Sequence, residues 1–320
     1  MRGLFKQTNP EKPLGGRYKI VSELGAGGFG QTFLAQDLHL PDHPHCVVKQ
    51  LKPQRSDTDT LQMARRLFDM EARVLYLVGN HNQIPRLLAH FEDNQEFYLA
   101  QELIEGEPLS QELQGGQRWL ETQVLSLLQD LLYVLAFVHE QNVIHRDIKP
   151  SNLIRRRRDG KIVLIDFGAV KQVSAQYVDR TTGLTTKTIS IGTQGYTPKE
   201  QLGGNPRFSS DLYAVGMLAI QALTGIHPRH LTEDPQTGEI NWRHHAVHIS
   251  PELAGFLDRM VRYDFRARYS TAADALAALR NLTPAIAHSA PLPQSLSEEE
   301  LGDLPTQGLP PSPPATESTD

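Results

Sequence analysis

The chain has 320 residues, 39% hydrophobic and 22% charged, which is ordinary globular composition and enough length for about two lobes with sizeable cores. The formal net charge of −5 is unevenly spread: residues 281–320 carry six acidic residues and no Lys or Arg, leaving residues 1–280 at +1. A near-neutral body with an acidic tail gives no argument for nucleic acid as a partner, and none is expected; the lone cysteine, Cys46, rules out an internal disulfide and suits a reducing compartment.

The first residues, MRGLFKQTNPEKPLGG, hold no apolar stretch of signal-peptide length, and residues 1–17 read as an N-terminal extension. From Tyr18 to about Glu102 short β-rich runs (Tyr18 to Leu24, Thr32 to Ala35, Cys46 to Leu51, Arg86 to Phe91, Phe97 to Gln101) predict a small antiparallel sheet. One helix interrupts them, Leu61 to Val78, with Ala64, Leu67, Phe68, Leu75 and Val78 at helical spacing. After Glu105 the pattern turns mostly helical. Thr122 to Glu140 puts Leu125, Leu128, Leu132, Leu135 and Val138 on one face, and Asp211 to Thr224 is apolar nearly all round, which predicts burial. Between them RRRRDGKIVLIDFG reads as a hairpin turning at Asp159-Gly160. The most apolar region, Val124 to Val138, is broken by Gln129 and Asp130, so no membrane span is expected and the chain reads as cytoplasmic. Residues 281–320, with eight prolines and no aromatic residue, are expected to be disordered. A strand-rich lobe followed by a helix-rich lobe is an α+β arrangement, and ligands usually sit in the cleft between lobes.

Several stretches carry chemistry. In GAGGFG, Gly25 to Gly30, the glycines let backbone N–H groups approach phosphate oxygens without a Cβ in the way. A dinucleotide-binding turn uses the same spacing but opens a helix, whereas TFLAQD reads as a strand; a plain hairpin turn stays open for this stretch taken alone. Lys49, inside the apolar CVVKQL, wants a carboxylate or phosphate, and Glu71 is a candidate partner; a solvent-facing Lys on an edge strand is the alternative. The stretch VIHRDIKPSNLI, residues 143–154, packs His145, Arg146, Asp147, Lys149 and Asn152 between apolar dipeptides, and VLIDFG ends in Asp166, Phe167 and Gly168. Asp147, Lys149, Asn152 and Asp166 supply two carboxylates and an amide carbonyl, hard oxygen ligands that Mg²⁺ accepts together with substrate phosphates, and leave one carboxylate for a hydroxyl proton, a division that suits phosphoryl transfer.

The ordered set GAGGFG, Lys49, Glu71, HRDIKPSN, DFG, GTQGYTPKE and Asp211 resembles the eukaryotic-type protein kinase family over residues 18 to about 280, and GGFGQTFLAQD and GTQGYTPKEQ resemble its bacterial, in particular cyanobacterial, Ser/Thr branch. The resemblance implies a two-lobed kinase fold, with an N-lobe at 18–102, a hinge at 102–106 and a C-lobe at 107–280. It implies an ATP- and Mg²⁺-dependent Ser/Thr protein kinase, with Mn²⁺ able to substitute, acting on protein substrates. Gly25, Ala26, Gly27, Gly28, Phe29 and Gly30 would cover the ATP phosphates, and Lys49 would hold the α- and β-phosphates while paired with Glu71. Asp147 would orient the attacking hydroxyl, Lys149 neutralise the γ-phosphate, and Asn152 and Asp166 bind Mg²⁺. Adenine would meet the backbone of Glu102 to Ile104, with Gln101 behind it and Ile154 also in contact. Thr32 and Val47 replace the family's usual Val and Ala and alter the shape of that pocket. Thr193 would seat the acceptor residue. Glu200 would pair with Arg268, Asp211 would cap the catalytic loop, and Leu75, Leu87, His145 and Phe167 would stack as a column between the lobes. PKE at 198–200 stands for the usual APE.

Arg146 is placed to capture a phosphate on the segment holding Thr181, Thr182, Thr185, Thr186, Thr188 and Ser190, with Thr186 and Thr188 ranked first. The competing classes are a catalytically weak ATP-binding scaffold, which would lack one of Lys49, Asp147, Asn152 or Asp166, and a small-molecule kinase, which would lack the GTQGY segment. The histidines at His43 to His45 and at His244, His245 and His248 read as solvated or packed rather than metal-ligating, and Arg155 to Arg158 as a solvated hairpin end rather than a docking patch.

Overall fold

The computed structural model describes residues 13–27, 30–51, 58–94, 96–167 and 195–289. The small lobe is a five-stranded antiparallel sheet in the order β1-β2-β3-β5-β4, from β1 (Tyr18–Gly27), β2 (Gly30–Asp37), β3 (His45–Leu51), β4 (Leu87–Asp93) and β5 (Glu96–Glu102). Strand alternation sorts its side chains: on β3, Cys46, Val48 and Gln50 are buried on one face, while Val47, Lys49 and Leu51 point to the other. The first face holds a small core of Tyr18, Ala35, Cys46, Val48, Tyr98 and Ala100. The second joins the main core, where Phe97 and Leu99 meet Phe68, Ala72 and Leu75 of α1 (Thr58–Val78).

The chain ahead of β1 belongs to this lobe. Leu14 packs on the small core, and Arg17 forks onto the buried Asp37, Nε–Oδ1 2.8 Å and Nη2–Oδ2 2.6 Å. That guanidinium holds the Asp37 carboxyl below its ordinary range. Within the expected extension 1–17, Leu14 and Arg17 therefore pack on the small lobe just ahead of its first strand.

The large lobe is built on two buried helices. In α3 (Glu121–Glu140), Val124, Leu128, Leu131 and Leu135 are fully buried, and α5 (Phe208–Thr224) is buried along almost its whole length. Helix α3 is also long and apolar enough to cross a membrane, but here it is the centre of the lobe. The short α2 (Leu109–Glu112) precedes it, α4 (Lys199–Leu202) precedes α5, and α6 (Pro251–Met260) and α7 (Ala272–Ser289) close the lobe, α7 lying along α3. Helix α5 starts three residues before the expected Asp211 because the Ser210 hydroxyl accepts from the Arg207 N–H at 3.0 Å, capping an earlier turn. The boundary expected at 280 falls inside α7, which continues to Ser289, so the start of the segment expected to be disordered is helical.

A three-stranded sheet, β6 (Gly106–Pro108), β7 (Leu153–Arg156) and β8 (Ile162–Leu164), packs against α2 and α3 of the large lobe. The β7–β8 hairpin turns at Asp159-Gly160, with Gly160 at φ +69°. Its arginine run is not uniformly solvated, which corrects the expectation. Arg156 is 6% exposed, with its guanidinium on Asp159 and the Asn82 carbonyl, and Arg155 is bonded to Glu112; only Arg157 and Arg158 are exposed. Two of the four cations therefore tie the hairpin to neighbouring elements. A short hairpin, β9 (Thr232–Glu233) with β10 (Ile240–Asn241), lies between α5 and α6.

Candidate active site

The loop after α3 is shaped from below by Asp211 in the first turn of α5. This carboxylate, 1% exposed, accepts the backbone N–H groups of His145 and Arg146, both at 2.9 Å, so two amides that no strand or helix pairs are satisfied by one buried charge. Arg146 sits at φ +69°, a strained left-handed conformation that these bonds and a hydrogen bond from the Gln201 side chain to its carbonyl hold in place.

His145 shows how the loop joins the next strand. Its Nε2 lies 3.1 Å from the Ile165 carbonyl, which can only accept, so Nε2 carries the proton; its Nδ1 accepts from the Asp147 N–H at 3.3 Å. The ring is fully buried and burial pushes its pKa down, in keeping with a neutral imidazole. It packs against Phe167 with centroids 4.6 Å apart, and Phe167 and Leu75 lie in the same core with Leu87 packed against it.

Above this base the polar groups converge. Asn152 donates its amide to both the backbone and the side-chain oxygen of Asp147, each at 2.8 Å, and Lys149 Nζ lies 3.1 Å from Asp147 Oδ2. Across the cleft Lys49 reaches Asp166, Nζ–Oδ1 3.1 Å, with both groups partly exposed. Asp166 is at φ +64°. Glu71, expected beside Lys49, is 4% exposed on the core side of α1. Lys49 thus meets Asp166, and Asp147, Lys149 and Asn152 form one polar cluster on the loop after α3.

The glycines of the first hairpin are not equivalent. A Cβ at Gly30 would stand 1.8 Å from the Gln50 carbonyl, so close β2–β3 pairing alone demands glycine there, whereas a Cβ at Gly25 would meet nothing within 4 Å. Ala26 and Gly27 continue β1, with Ala26 paired to Gln31. Gly28 and Phe29 lie outside the described residues, as do Gly168, the threonines and serine of 181–190, and Thr193. Thr32, Lys49 and Leu99 pair in one row, Val47 and Gln101 in another. Gln101 is 4% exposed, and its Nε2 has no hydrogen-bond partner among the described residues, an unfilled polar position at the back of the cleft. Ile154 lies on β7 opposite Pro108, facing the chain that leaves β5 through Glu102 and Ile104.

The frame below the site is tied by Arg268, 3% exposed. It holds Glu200 with Nη1–Oε1 at 2.7 Å and also donates to the carbonyls of Arg262, Ser209 and Tyr263. Such a buried pair is tolerable because the guanidinium donors are used. No group of three or more His, Cys, Asp or Glu side chains suited to a metal occurs among the described residues; the His244 and His245 rings pack on each other with centroids 3.8 Å apart.

Three contributors escape a reading of motifs. His139 Nε2 lies 3.0 Å from Asp211 Oδ2 and completes that carboxylate's set of donors. Gln83 donates to the carbonyls of Asp130 and Ile162, tying the turn after α1 to the large lobe, and Gln201 steadies Arg146. Of these only His139 leaves a trace in the sequence: it continues the buried series Leu128, Leu132, Leu135, and a polar side chain at a core position needs a partner.

A two-lobed molecule with a cation, carboxylates and an amide gathered between the lobes has the architecture of a phosphotransferase. It superposes on the kinase domain of Mycobacterium tuberculosis PknI with a TM-score of 0.63 at 21% identity, covering 82% of this chain and 95% of that one. PpkA-294 in its apo form gives 0.66 at 21% identity, over 82% and 96%. Residues 18–279 match the protein kinase domain, and the chain belongs to the protein kinase family. It is 46% identical over 271 residues to the serine/threonine-protein kinase PknA of Nostoc sp., covering 84% of this chain and 48% of that protein. It is likewise 46% identical over 268 residues to serine/threonine-protein kinase B of Synechocystis sp., covering 83% and 46%. The chain spans about half the length of these curated relatives.

Proposed function

We propose that the chain is an ATP- and Mg²⁺-dependent protein kinase that transfers the γ-phosphate to Ser and Thr hydroxyls of proteins, its own segment 181–190 included. The observation that carries this reading is the Lys49–Asp166 contact at 3.1 Å facing the Asp147, Lys149 and Asn152 cluster. The residues fit a metal–nucleotide complex. Both amide protons of Asn152 are directed at Asp147, leaving its amide oxygen as a hard ligand beside the Asp166 carboxylate, and the buried Gln101 amide offers an unfilled contact behind the base. The bound cation would neutralise charge on the phosphate oxygens during transfer.

The side chains divide the remaining work. Lys49 holds the α- and β-phosphates, and the backbone from Glu102 to Ile104, with Thr32, Val47 and Ile154, frames adenine. Asp147 accepts a hydrogen bond from the substrate hydroxyl and takes its proton as the new O–P bond forms and the bond to the ADP oxygen breaks. Lys149, which now neutralises Asp147, turns to the γ-phosphate, so the charge on Asp147 becomes available when the nucleotide arrives. Thr193 seats the acceptor, and Arg146 receives the phosphate of a modified Thr186 or Thr188.

Incorporation of labelled phosphate into a generic protein acceptor, with Mg²⁺, with Mn²⁺ and with chelator, tests the reading against an Asp147→Asn variant. The variant is expected to lose about 10²–10⁴-fold in kcat while still binding nucleotide. Equal incorporation by both proteins would overturn the assignment of Asp147, and nucleotide binding with no transfer by either would identify a binding module instead.

A further inference from the structure

The turn after α5, His227 to His230, holds three side chains that the proposed mechanism does not use, and it lies against the stretch that follows Thr193. Gly195 sits at φ +97°, and a Cβ there would stand 2.6 Å from Pro228 Cβ and 2.9 Å from the Arg229 backbone nitrogen, so the two stretches touch with no room for a side chain between them. Tyr196 continues the contact. Its hydroxyl donates to the Gln221 side chain in α5, and its ring meets the His227 ring edge-on with centroids 5.6 Å apart. Thr193 is two residues from Gly195, at most about 7 Å along the chain, which puts the Arg229 backbone within about 12 Å of it. An extended substrate covers that distance in three or four residues.

The side chains of this turn are held in order. His227 Nδ1 accepts from the Arg229 N–H at 3.2 Å, which leaves the proton of the neutral ring on Nε2, and Arg229 Nε donates to His230 Nε2 at 3.0 Å, which puts the His230 proton on Nδ1. The two imidazoles meet edge-on with centroids 6.2 Å apart, and Arg229 and His230 are exposed. No neighbouring carboxylate offsets their charge. Burial and then Arg229 and His230 lower the pKa of His227, and among the described residues no carboxylate acts on it. Glu233 is paired with Lys199 at 3.1 Å. Asp234 turns back on the amides of Gln236 and Thr237, and it lies four extended residues beyond His230, about 13 Å away and more than a Debye length at physiological salt.

We propose that Arg229, held by His230 and backed by His227, is a specificity-determining residue that selects protein substrates with an Asp or Glu within about four residues of the phosphorylated Ser or Thr. The inference rests on the kinase reading above and adds to it the chemistry of the sequence around the acceptor. A carboxylate at that distance gains the guanidinium and the imidazole N–H groups of the same turn, whereas a Lys or Arg there meets a like charge. The neutral Gln221 beneath Tyr196 supplies no carboxylate that would favour a basic substrate instead.

Synthetic peptides of equal length test this, each with one Thr in an Ala and Gly background and with Glu, Lys or phosphoserine moved from about four positions before the Thr to about four after it. With the full chain, ATP and Mg²⁺, kcat/KM for Glu at the favoured position is expected about fivefold above the Ala peptide and that for Lys below it, and Arg229→Glu should invert the order. Each protein is compared with itself across peptides, so a variant that folds poorly loses rate without changing the ratio. Fluorescent copies of the peptides with Val in place of Thr give Kd by anisotropy. A chain that phosphorylates none of the peptides would sink the kinase reading, yet its affinities still answer for this turn, with Glu expected to bind about fivefold tighter than Lys. Equal constants for Ala, Glu and Lys in both measurements, or a Glu preference that Arg229→Glu leaves intact, would overturn the proposal. A preference for phosphoserine with none for Glu would overturn it too, and would assign the turn to a phosphate already on the substrate.

Discussion

At the scale of single residues the site depends on one buried carboxylate. Asp211 receives two catalytic-loop amides and the His139 imidazole, and with no solvent nearby each donor lost leaves part of that charge uncompensated. His139 touches no substrate in the proposed mechanism; it is a positioning residue, stacked on Phe208 with ring centroids 4.6 Å apart. His139→Phe keeps the ring and removes the donor. It is expected to lower kcat about 10–100-fold, from a hydrogen bond to a charged group valued at about 1.5–3 kcal/mol, with little change in KM for ATP. His139→Gln, whose amide nitrogen can reach the Nε2 position, should recover most of the rate. Steady-state kinetics on the two variants would reveal a purely packing role for His139 if His139→Phe retained full kcat.

At the scale of elements, close backbone contacts decide how helices and loops meet. Gly225 ends α5 at φ +69°, and a Cβ there would stand 2.2 Å from the Gly116 carbonyl in the turn that leads to α3. Gly225→Ala combines left-handed strain of about 1–2 kcal/mol with a clash that only backbone movement relieves, so a loss of about 3 kcal/mol or more is expected in denaturant unfolding. Gly25→Ala, where a Cβ meets nothing, should cost under about 1 kcal/mol in the same measurement. Equal losses for the two would show that the turn before α3 adjusts freely. These contacts mark the limit of what the sequence made legible. The period-2 and period-3.6 patterns located the five sheet strands, α1, α3 and α5 to within a few residues, and spacing placed Lys49, Asp147, Asn152 and Asp166 in order along the chain. Boundaries set by a cap, as at Ser210, or by a long-range ion pair, as at Arg17–Asp37, depend on partners that no local window contains. The same holds for Arg156, which looks solvated in a run of four arginines until the turn at Asn82 is brought against it.

At the scale of the whole molecule, the histidines in and around the interlobe core make stability depend on pH. Burial lowers the pKa of His145, between the catalytic loop and Phe167, and of His81, packed on Phe137 with centroids 4.9 Å apart. Asp211, Asp147 and Asp166 oppose the shift at His145, but desolvation of a fully buried ring is the larger effect. Above the unfolded value of 6.5 both states are neutral and these groups add no pH dependence. As pH falls below it, the unfolded chain takes protons that the folded chain refuses. Stability then declines by up to about 1.4 kcal/mol per pH unit for each such histidine, until the lowered folded pKa is passed. Carboxylates act in a lower window: Asp37 and Asp159, held below 3.8 by Arg17 and Arg156, contribute stability that is lost only as pH falls below that value. Thermal midpoints should therefore be level from about pH 8 to 7 and drop from about pH 6.5 to 5, and His81→Phe, which keeps the stacking on Phe137, should make that drop shallower. A midpoint that stays level to about pH 5 would mean that the imidazoles find proton acceptors or water in the folded state, and that the joint between the lobes is more open than its packing implies.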